Sequence, residues 1–367
     1  MILILFVILT IYVISIGLLI YGFIRIKIHQ KTNLKPQTNF TVIVPFRNEE
    51  ENLPNLLASF SKLNYPNDLF EVILVDDSSN EKFQVSSFKF QISQIDNIRV
   101  SNSPKKDAIT TAMQYVKSDW VITTDADCIV TNNWLLSFDN YIQKNKVSML
   151  AGAVSYSCKN SFLDHFQQLD LTSLQGATIG SFGVKKAFMC NGANFAYTKS
   201  LFEKVNGFSG NNKIASGDDV FLLQKAVGLF PKEVHYLKAQ EAIVLTKPTD
   251  DWKSLFHQRV RWAAKTSSYE STFGKFLGLI VFFGNLSFIV AFVFLLFRRW
   301  SWQILIVYVA VKFFIDFILI YKTNQFLTKT KLKYLILSSL FYPFFSTSVA
   351  LYSLFGAYEW KDRRFGK

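Results

Sequence analysis

Two aspartates, separated by one residue, follow an apolar run in Val121-Ile122-Thr123-Thr124-Asp125-Ala126-Asp127. If the run is a strand, both carboxylates lie at its tip and can reach one cation. Carboxylate oxygens are hard ligands, which suit Mg²⁺ or Mn²⁺. Such a cation would bridge the diphosphate of a nucleotide donor and neutralise the charge that develops on this leaving group. Asp125 and Asp127 are therefore candidate metal ligands, although an isolated Asp-Ala-Asp sequence is common by chance.

Two earlier apolar runs also end in polar residues. One stops at Pro45 and turns into a loop that contains Arg47 and Glu49, and the other stops at Asp76-Asp77-Ser78-Ser79. Paired acids of this kind could equally cap a helix or form a solvated turn. In a parallel sheet, however, ligands bind outside the carboxyl ends of the strands. The three run ends are therefore the positions where we expect chemistry.

Three further polar segments also contain residues that could bind a ligand or act in catalysis, and each has a purely structural alternative. Lys105-Lys106-Asp107-Ala108 could be a solvated helix start, and Cys190-Asn191-Gly192-Ala193-Asn194 a plain turn. Ser216-Gly217-Asp218-Asp219 opens an apolar helix, where acids favour the positive end of the helix dipole. None of these segments identifies a function by itself.

In this order, the segments resemble the nucleotide-sugar-binding half of family 2 glycosyltransferases, whose fold is the GT-A α/β sandwich. The resemblance extends to Gln258-Arg259-Val260-Arg261-Trp262, which is similar to the QxxRW pattern of membrane-integrated members. These members include cellulose-type and hyaluronan-type synthases and ceramide-glucosyltransferase-like proteins. The structural alternative for the Arg-Trp pair is an anchor at the membrane interface.

The resemblance implies a role for each segment. The donor nucleotide and its diphosphate are expected to contact Pro45, Arg47, Glu49, Asp76, Asp77, Lys105, Lys106, Asp125, Gln258 and Arg261. Pro104 stands where the family often has glycine, so which of the two lysines reaches the phosphates stays open. The sugar and acceptor pocket is expected to contain Asn191, Gly192, Ala193, Asn194 and Trp262. Asp219 corresponds to the general base that deprotonates the acceptor hydroxyl, and Asp218 would orient it or cap the helix.

The implied reaction is a metal-dependent, inverting transfer of a sugar from a UDP- or GDP-sugar. A polymer channel usually needs more membrane helices than this chain offers, so we expect a non-processive enzyme with a lipid or lipid-linked acceptor. A processive polysaccharide synthase is one alternative. An inactive membrane scaffold is another, which the intact acids at Asp77, Asp125, Asp127 and Asp219 argue against.

The elements that must position these residues are predicted as an α/β domain over residues 40–265, long enough to bury its own core. Apolar runs at Phe40–Pro45, Glu71–Val75 and Trp120–Thr124 predict strands, and a periodic segment near Leu53–Phe60 predicts a helix. The alternation of strand and helix favours a mostly parallel sheet.

The rest of the chain is typical of a membrane protein, because 50% of its 367 residues are hydrophobic and its mean hydropathy is +0.20. Residues 1–24 predict a transmembrane anchor, and 25–39 a basic linker that the positive-inside rule places in the cytosol. The net charge of +13 comes with cations beside apolar spans, which indicates anionic lipid rather than nucleic acid as the partner. We expect an integral protein of a bacterial inner membrane with a cytosolic catalytic domain.

Residues 266–367 predict a C-terminal membrane domain with candidate spans near Gly274–Phe297, Trp300–Tyr321 and Tyr334–Ala357. Four full spans would leave the basic tail outside, against the positive-inside rule. Either one C-terminal segment is re-entrant or interfacial, or the tail breaks the rule. The middle segment is the suspect, because it carries Lys312 and Asp316. The tail also resembles a Trp-Lys-Gly-Arg ending of lipid-directed relatives, with Asp362 in place of the glycine.

Overall fold

The computed structural model describes residues 2–30, 32, 34–85, 87–211, 214, 216–297, 300–356, 358–360 and 363–365. The chain divides into two compact units. The first, called the sheet unit below, comprises Lys27–Ser157 and Met189–Lys247. The second, the helical unit, comprises Met1–Ile26, Cys158–Phe188 and Pro248–Lys367.

Eleven strands and eleven helices are defined within the described residues, besides three short 3₁₀ turns. In chain order they are α1 (Ile2–Arg25), β1 (Phe40–Phe46), α2 (Leu53–Phe60), β2 (Phe70–Asp76), β3 (Gln91–Asp96), α3 (Pro104–Met113), β4 (Trp120–Thr123), α4 (Trp134–Lys144), β5 (Met149–Gly152), β6 (Val154–Tyr156), α5 (Phe162–Gly183), β7 (Phe195–Thr198), α6 (Lys199–Lys204), α7 (Asp218–Leu229), β8 (Val234–Leu237), β9 (Val244–Thr246), α8 (Trp252–Ala264), α9 (Thr272–Leu296), α10 (Trp302–Leu327), α11 (Leu335–Phe355), β10 (Tyr358–Trp360) and β11 (Arg363–Phe365).

The sheet unit is built on a seven-stranded sheet in the order β3-β2-β1-β4-β7-β5-β8. Strand β7 runs antiparallel to both of its neighbours, and the other neighbouring pairs are parallel. The prediction of a mostly parallel α/β sheet is therefore confirmed. A second, two-stranded parallel pair joins β6 to β9.

Three adjacent parallel strands bring their carboxyl ends to one edge of the sheet. In β1 and β2, Phe46 lies in register with Asp76, and in β1 and β4, Ile43 lies in register with Thr123. The strands are buried on both faces, as parallel strands require; Val42 and Ile122 are fully buried. The loops after these strands therefore meet at this edge, as the run ends predicted.

Within the described part of the chain, four helices are long and apolar enough to cross a membrane, and all four belong to the helical unit: α1, α9, α10 and α11. It also contains α5 and α8, although the sequence predicts both within one α/β domain over residues 40–265. Helix α5 belongs to the helical unit because its glycines allow it to pack closely on α1. A Cβ on Gly22 of α1 would lie 2.0 Å from the carbonyl oxygen of Gly180, so these two helices pack backbone against backbone.

The two charges that made the middle C-terminal segment suspect are paired inside the helical unit. Lys312 Nζ lies 2.8 Å from Asp316 Oδ2 one turn along α10. The hydroxyl of Tyr12 on α1 donates to Asp316 Oδ1 at 2.7 Å. Helix α10 is continuous over these residues. An ion pair that faces the bundle interior is compatible with a membrane-crossing helix. Of the tail residues, Lys361, Asp362, Gly366 and Lys367 lie outside the described residues.

Candidate active site

A lysine and two aspartates from three elements meet in the sheet unit. Lys105, at the start of α3, places its Nζ 2.6 Å from Asp125 Oδ1 after β4. The same Nζ lies 3.6 Å from Asp218 Oδ2 at the start of α7. Burial by itself would lower the pKa of Lys105, but the carboxylates of Asp125, Asp218 and Asp219 outweigh it and raise that pKa. The cluster therefore holds a fixed positive charge at physiological pH.

Lys106 has a different role, although it is the next residue. Its side chain is buried, and its Nζ donates to the carbonyl oxygens of Asn211 at 2.7 Å and Ile214 at 2.9 Å. The ammonium also lies 4.8 Å from the ring centroid of Phe221. These contacts anchor the segment that leads into α7. Of the two lysines that the sequence left open, Lys105 is the one whose ion pairs join Asp125 and Asp218.

Gly192 joins the small-residue loop to the acid pair of α7. Its N–H donates to Asp219 Oδ2 at 2.9 Å, while Asp219 Oδ1 accepts from the N–H of Val220 at 2.7 Å. A Cβ on Gly192 would lie 3.0 Å from Asp218 Oδ2 and 3.2 Å from Lys105 Nζ. Such close approach of a backbone is the usual reason for a glycine. The loop therefore reaches the same cluster as Lys105.

The other residues of that loop serve its shape. The side chain of Asn191 accepts from the N–H of Ala193 at 3.0 Å and so caps the short helical turn. Asn194 is fully buried, and its amide donates to the carbonyl oxygens of Ala153 and Ala242, both at 2.7 Å. Both hydrogens of that amide are thus used within the core. A direct contact between Asn194 and a sugar stays a prediction, whereas its observed contacts are those of a packing residue.

Asp77 is held by Asn97 and Arg99, which were not among the predicted site residues. Its Oδ1 accepts from Asn97 Nδ2 at 2.7 Å and lies 3.4 Å from the guanidinium of Arg99. Arg99 also reaches Asp107 Oδ2 at 3.2 Å. Asn97 and Arg99 follow β3, a fourth parallel strand on the same side of the sheet. Their position after a strand could have identified them as site residues. The strand itself was not predicted, because Gln91–Asp96 is polar and lacks an apolar run.

Arg47 and Asp76 organise the loops at the strand tips. The guanidinium of Arg47 donates to the carbonyl oxygen of Asp77 at 2.7 Å, which ties the end of β1 to the end of β2. Asp76 is buried, and its Oδ1 accepts from the N–H of Ser79 at 2.9 Å. This bond closes a turn of the type that aspartate favours. Their observed contacts are therefore structural, and a donor contact stays a prediction.

Pro45 and Glu49 bracket the tip of β1. Pro45 lies beyond the pairing with β4, which ends at Ile43, so its missing N–H removes no bond to that strand. The carboxylate of Glu49 accepts from the side-chain amide of Asn52 at 2.6 Å, immediately ahead of α2. Both residues shape the loop that carries Arg47.

Asp125 and Asp127 fit a divalent cation only in part. The side chain of Asp125 is 40% exposed, and Asp127 accepts from the hydroxyl of Thr246 at 3.3 Å. Burial, followed by the charges of Asp127 and Asp125, raises the pKa of the Cys128 thiol, so no thiolate adds to the set. Among the described residues, no group of three or more histidine, cysteine and acidic side chains is placed to hold a metal. Two carboxylates suit Mg²⁺ or Mn²⁺ if a ligand supplies the remaining oxygens.

Gln258, Arg261 and Trp262 lie on α8, in the helical unit. Between them, Arg259 is buried and its Nε lies 2.5 Å from Asp170 Oδ2 on α5. Its guanidinium also lies 4.2 Å from the ring centroid of Trp262 and donates to the side chain of Gln258. Arg259 and Asp170 therefore hold the motif in place, and neither was a predicted site residue. A buried arginine requires a counter-ion, but no local pattern indicated which acid supplies it.

The sequence is similar to a known protein family and to two known relatives. Residues 41–206 match the model of the family described as glycosyl transferase family 2. The probable glycosyltransferase YdaM of Bacillus subtilis is 25% identical over 255 residues, which cover 64% of this chain and 56% of that protein. Glycosyltransferase AglE of Haloferax volcanii is 23% identical over 190 residues, covering 51% of this chain and 60% of that protein. The chain thus spans less than two thirds of the length of either relative. These matches support a family 2 glycosyltransferase.

A solved structure has a similar fold. The mannosyltransferase PcManGT from Pyrobaculum calidifontis, determined in complex with GDP-Man and Mn²⁺, has a TM-score of 0.57 and 14% sequence identity. The likeness covers 96% of this chain and 99% of that one. It confirms the predicted fold class, a GT-A-like α/β architecture with a mostly parallel sheet and apolar helices at both ends of the chain.

Proposed function

We propose that this protein is an inverting, non-processive glycosyltransferase that moves a sugar from a nucleotide-sugar donor to a lipid or lipid-linked acceptor. The observation that carries the proposal is the meeting of four chain segments around Lys105. The end of β4, the start of α3, the small-residue loop and the start of α7 all contribute to one cluster. The ammonium of Lys105 suits the binding of a diphosphate, and the acids at the strand and helix ends suit the removal of a proton.

The donor would bind along the edge formed by β1, β2 and β4. We assign the nucleoside to Asp77, whose carboxylate is held by Asn97 and Arg99. Lys105 would turn from its acids to the diphosphate and neutralise the charge that grows there as the sugar leaves. UDP- and GDP-sugars are the expected donors. Support comes from the family match and from the fold shared with a GDP-Man complex.

A divalent cation would be held by Asp125 and Asp127 together with oxygens of the donor. When bound, Mg²⁺ or Mn²⁺ supplies positive charge next to the leaving diphosphate. Within this chain, Asp125 must then exchange its contact with Lys105 for the cation. Two carboxylates hold a cation weakly without a donor, which makes the metal and the donor bind together.

Asp219 is the proposed general base. Its Oδ2 is fixed by the N–H of Gly192 and its Oδ1 by the N–H of Val220, and its side chain is half-buried. A carboxylate that is held in place and still accessible can take the proton of the acceptor hydroxyl. Attack from the side opposite the diphosphate inverts the configuration at the anomeric carbon.

We assign the remaining substrate contacts to α8. Arg261 would donate charge-assisted hydrogen bonds to the diphosphate, and Trp262 would form a flat wall for the acceptor. The contact between Arg259 and Trp262 supports this role, because it fixes the indole. The apolar helices and the basic residues around 25–39 support an integral protein of a bacterial inner membrane, with the catalytic side in the cytosol.

The test is to incubate membranes that contain the protein with a panel of radiolabelled nucleotide sugars, and to separate chloroform-soluble product from insoluble polymer. Label in the lipid fraction is expected, with membranes of an Asp219→Asn variant as the matched control. Long insoluble polymer would instead establish a processive synthase. No incorporation from any donor, at normal levels of folded protein, would leave the inactive scaffold as the function.

A further inference from the structure

The last apolar helix, α11, lies beside α5 at its start and beside α8 from its middle to its end. At its start, the ring of Tyr334 lies 5.5 Å from that of Phe162 on α5, and Phe162 lies 6.0 Å from Trp252 on α8. Near its end, Tyr352 lies 5.4 Å from Phe256 on α8. Trp252 and Phe256 are one helical turn apart. The end of α11 therefore contacts α8 directly, and its start reaches the same helix through Phe162 of α5.

Helix α8 cannot itself cross a membrane. Its 13 residues would extend for about 20 Å, against a hydrocarbon core of about 30 Å. It also carries Lys253, Arg259 and Arg261, which disfavour the hydrocarbon. The backbone of β10, after α11, packs against α8 as well. Helix α8 thus lies on one side of the bilayer, and the chain both enters and leaves α11 on that side.

The other three apolar helices have the geometry of true spans. Leu5 and Leu9 of α1 cluster with Ala291 near the end of α9 and with Tyr308 near the start of α10. At the opposite end of α1, Gly22 meets α5, which also meets Thr323 late in α10. Helices α1 and α10 are therefore parallel, and α9 runs against them. Three alternating helices of at least 24 residues account for three crossings.

Helix α11 also differs from these spans in composition. The most apolar window of α11 has a mean hydropathy of 1.4, against 3.0, 2.7 and 2.4 for the other three. Its interior contains Pro343. One face packs on α9, where Phe344 lies 6.5 Å from Phe288. Ile336, Leu337 and Leu351 are exposed, and Leu337 and Leu351 lie two turns before and after Phe344 on the same side of the helix, which is therefore an apolar surface.

We infer that α11 is a re-entrant helix that dips into the leaflet on the side of α8, with its exposed apolar face in contact with the acyl chains of that leaflet. The chain then crosses the bilayer three times, and the segment after α11 returns to the side of residues 25–39. This topology would place Lys329, Lys331, Lys333 and the basic residues after α11 on the side of the basic linker, as the positive-inside rule favours. The inference does not depend on the proposed enzymatic activity.

Three variants, each with one added cysteine, distinguish the possible topologies: Ser301→Cys before α10, Thr330→Cys between α10 and α11, and Gly366→Cys in the tail. Each full-length protein is treated with a membrane-impermeant maleimide in intact cells and again after permeabilisation. The unaltered chain, whose Cys128 and Cys190 are buried and Cys158 half-buried, gives the background. We expect Ser301→Cys to label in intact cells. The other two variants should stay at background there and label only after permeabilisation.

Labelling of Gly366→Cys in intact cells would show that α11 crosses and would overturn the inference. Labelling of Thr330→Cys in intact cells, with Gly366→Cys protected, would overturn it too, because α10 would then be the segment that does not cross. Alkaline phosphatase fused after Lys367 of the full chain gives an independent measurement. The fusion should be inactive, and phosphatase activity would contradict the inference even if a cysteine variant folded poorly.

Discussion

Lys105 and Lys106 are adjacent in sequence but act on different parts of the sheet unit. Lys105 lies among acids that would otherwise repel one another and the donor. Lys106 satisfies two backbone carbonyl groups ahead of α7. One residue therefore belongs to the proposed chemistry and its neighbour to the support of that chemistry. The pair makes a matched experiment.

Lys105→Met should weaken donor binding, because it removes the fixed positive charge from the cluster. Charge-assisted hydrogen bonds contribute about 1.5–3 kcal/mol, which corresponds to roughly a tenfold to a hundredfold loss of affinity. Lys106→Met should remove the hydrogen bonds to the carbonyl oxygens of Asn211 and Ile214 and lower the free energy of unfolding by about 1–3 kcal/mol. Calorimetry of donor binding and thermal unfolding in detergent measure the two effects. If Lys106→Met lost the donor and Lys105→Met did not, the assignment would be reversed.

Asp219→Asn keeps the size of the side chain but removes its basicity. Loss of a general base typically slows a reaction by about 10²- to 10⁴-fold, whereas nucleotide affinity should change little. Steady-state transfer rates measure the effect on catalysis, and donor titrations of the same preparation measure the effect on nucleotide affinity. A variant that retained more than about a tenth of the wild-type rate would fall outside this range, and Asp218 would become the candidate base.

The proposed cation can be tested by removal. Excess EDTA should abolish transfer, because two carboxylates do not retain Mg²⁺ or Mn²⁺ against a chelator. Added Mn²⁺ should restore the wild-type protein but not an Asp127→Ala variant, which lacks one of the two protein ligands. Transfer at the full rate in EDTA, or in Asp127→Ala, would mean that the reaction needs no metal at this position.

At the scale of elements, glycines and one buried ion pair position helices α1, α5 and α8 within the helical unit. Helix α5 lies against α1 at Gly22 and Gly180, where no side chain separates the two backbones. It also lies against α8 through the ion pair between Asp170 and Arg259, whose side chains are only 4% and 6% exposed. Because α8 carries Arg261 and Trp262, the packing of α5 determines where the motif sits within the helical unit.

Two glycines of α1 provide a matched test of this packing. A Cβ on Gly22 would meet the carbonyl oxygen of Gly180 at 2.0 Å, whereas a Cβ on Gly17 would meet nothing within 4 Å. Overpacking typically costs about 1–3 kcal/mol, so Gly22→Ala should lower the thermal stability in detergent while Gly17→Ala should not. Equal stability of the two variants would show that α1 and α5 are not in close contact.

At the scale of the whole molecule, the sidedness of the chain decides which substrates it meets. The cations around residues 25–39 predict a cytosolic position for the segment between α1 and β1. Nucleotide sugars do not cross a bilayer, so the proposed enzyme should use only donor on that side. Inverted membrane vesicles should therefore transfer label from added donor, and sealed right-side-out vesicles should not. Activity confined to right-side-out vesicles would contradict the predicted orientation.

Local patterns in the sequence were sufficient for several features. The strands at Phe40, Phe70 and Trp120, the helix at Leu53–Phe60 and the four apolar helices lie where the predictions placed them, within a few residues at each end. These elements are encoded by hydrophobic runs and by breakers such as Pro45, which act over a few residues. The acids at the strand ends followed from the same patterns, because parallel strands bring their carboxyl ends to one edge.

Other features depend on contacts between residues that are distant in the chain. The sequence could not tell Lys105 from Lys106, because their environments are set by Asp125 and Asp218 in one case and by the segment before α7 in the other. Asp170 lies 89 residues from Arg259, and no local spacing links them. Hydropathy alone predicts that α11 is one more span, because it measures how apolar a helix is and not where its ends lie. Only the contacts at both of its ends decide that the chain turns back, because they fix where those ends lie.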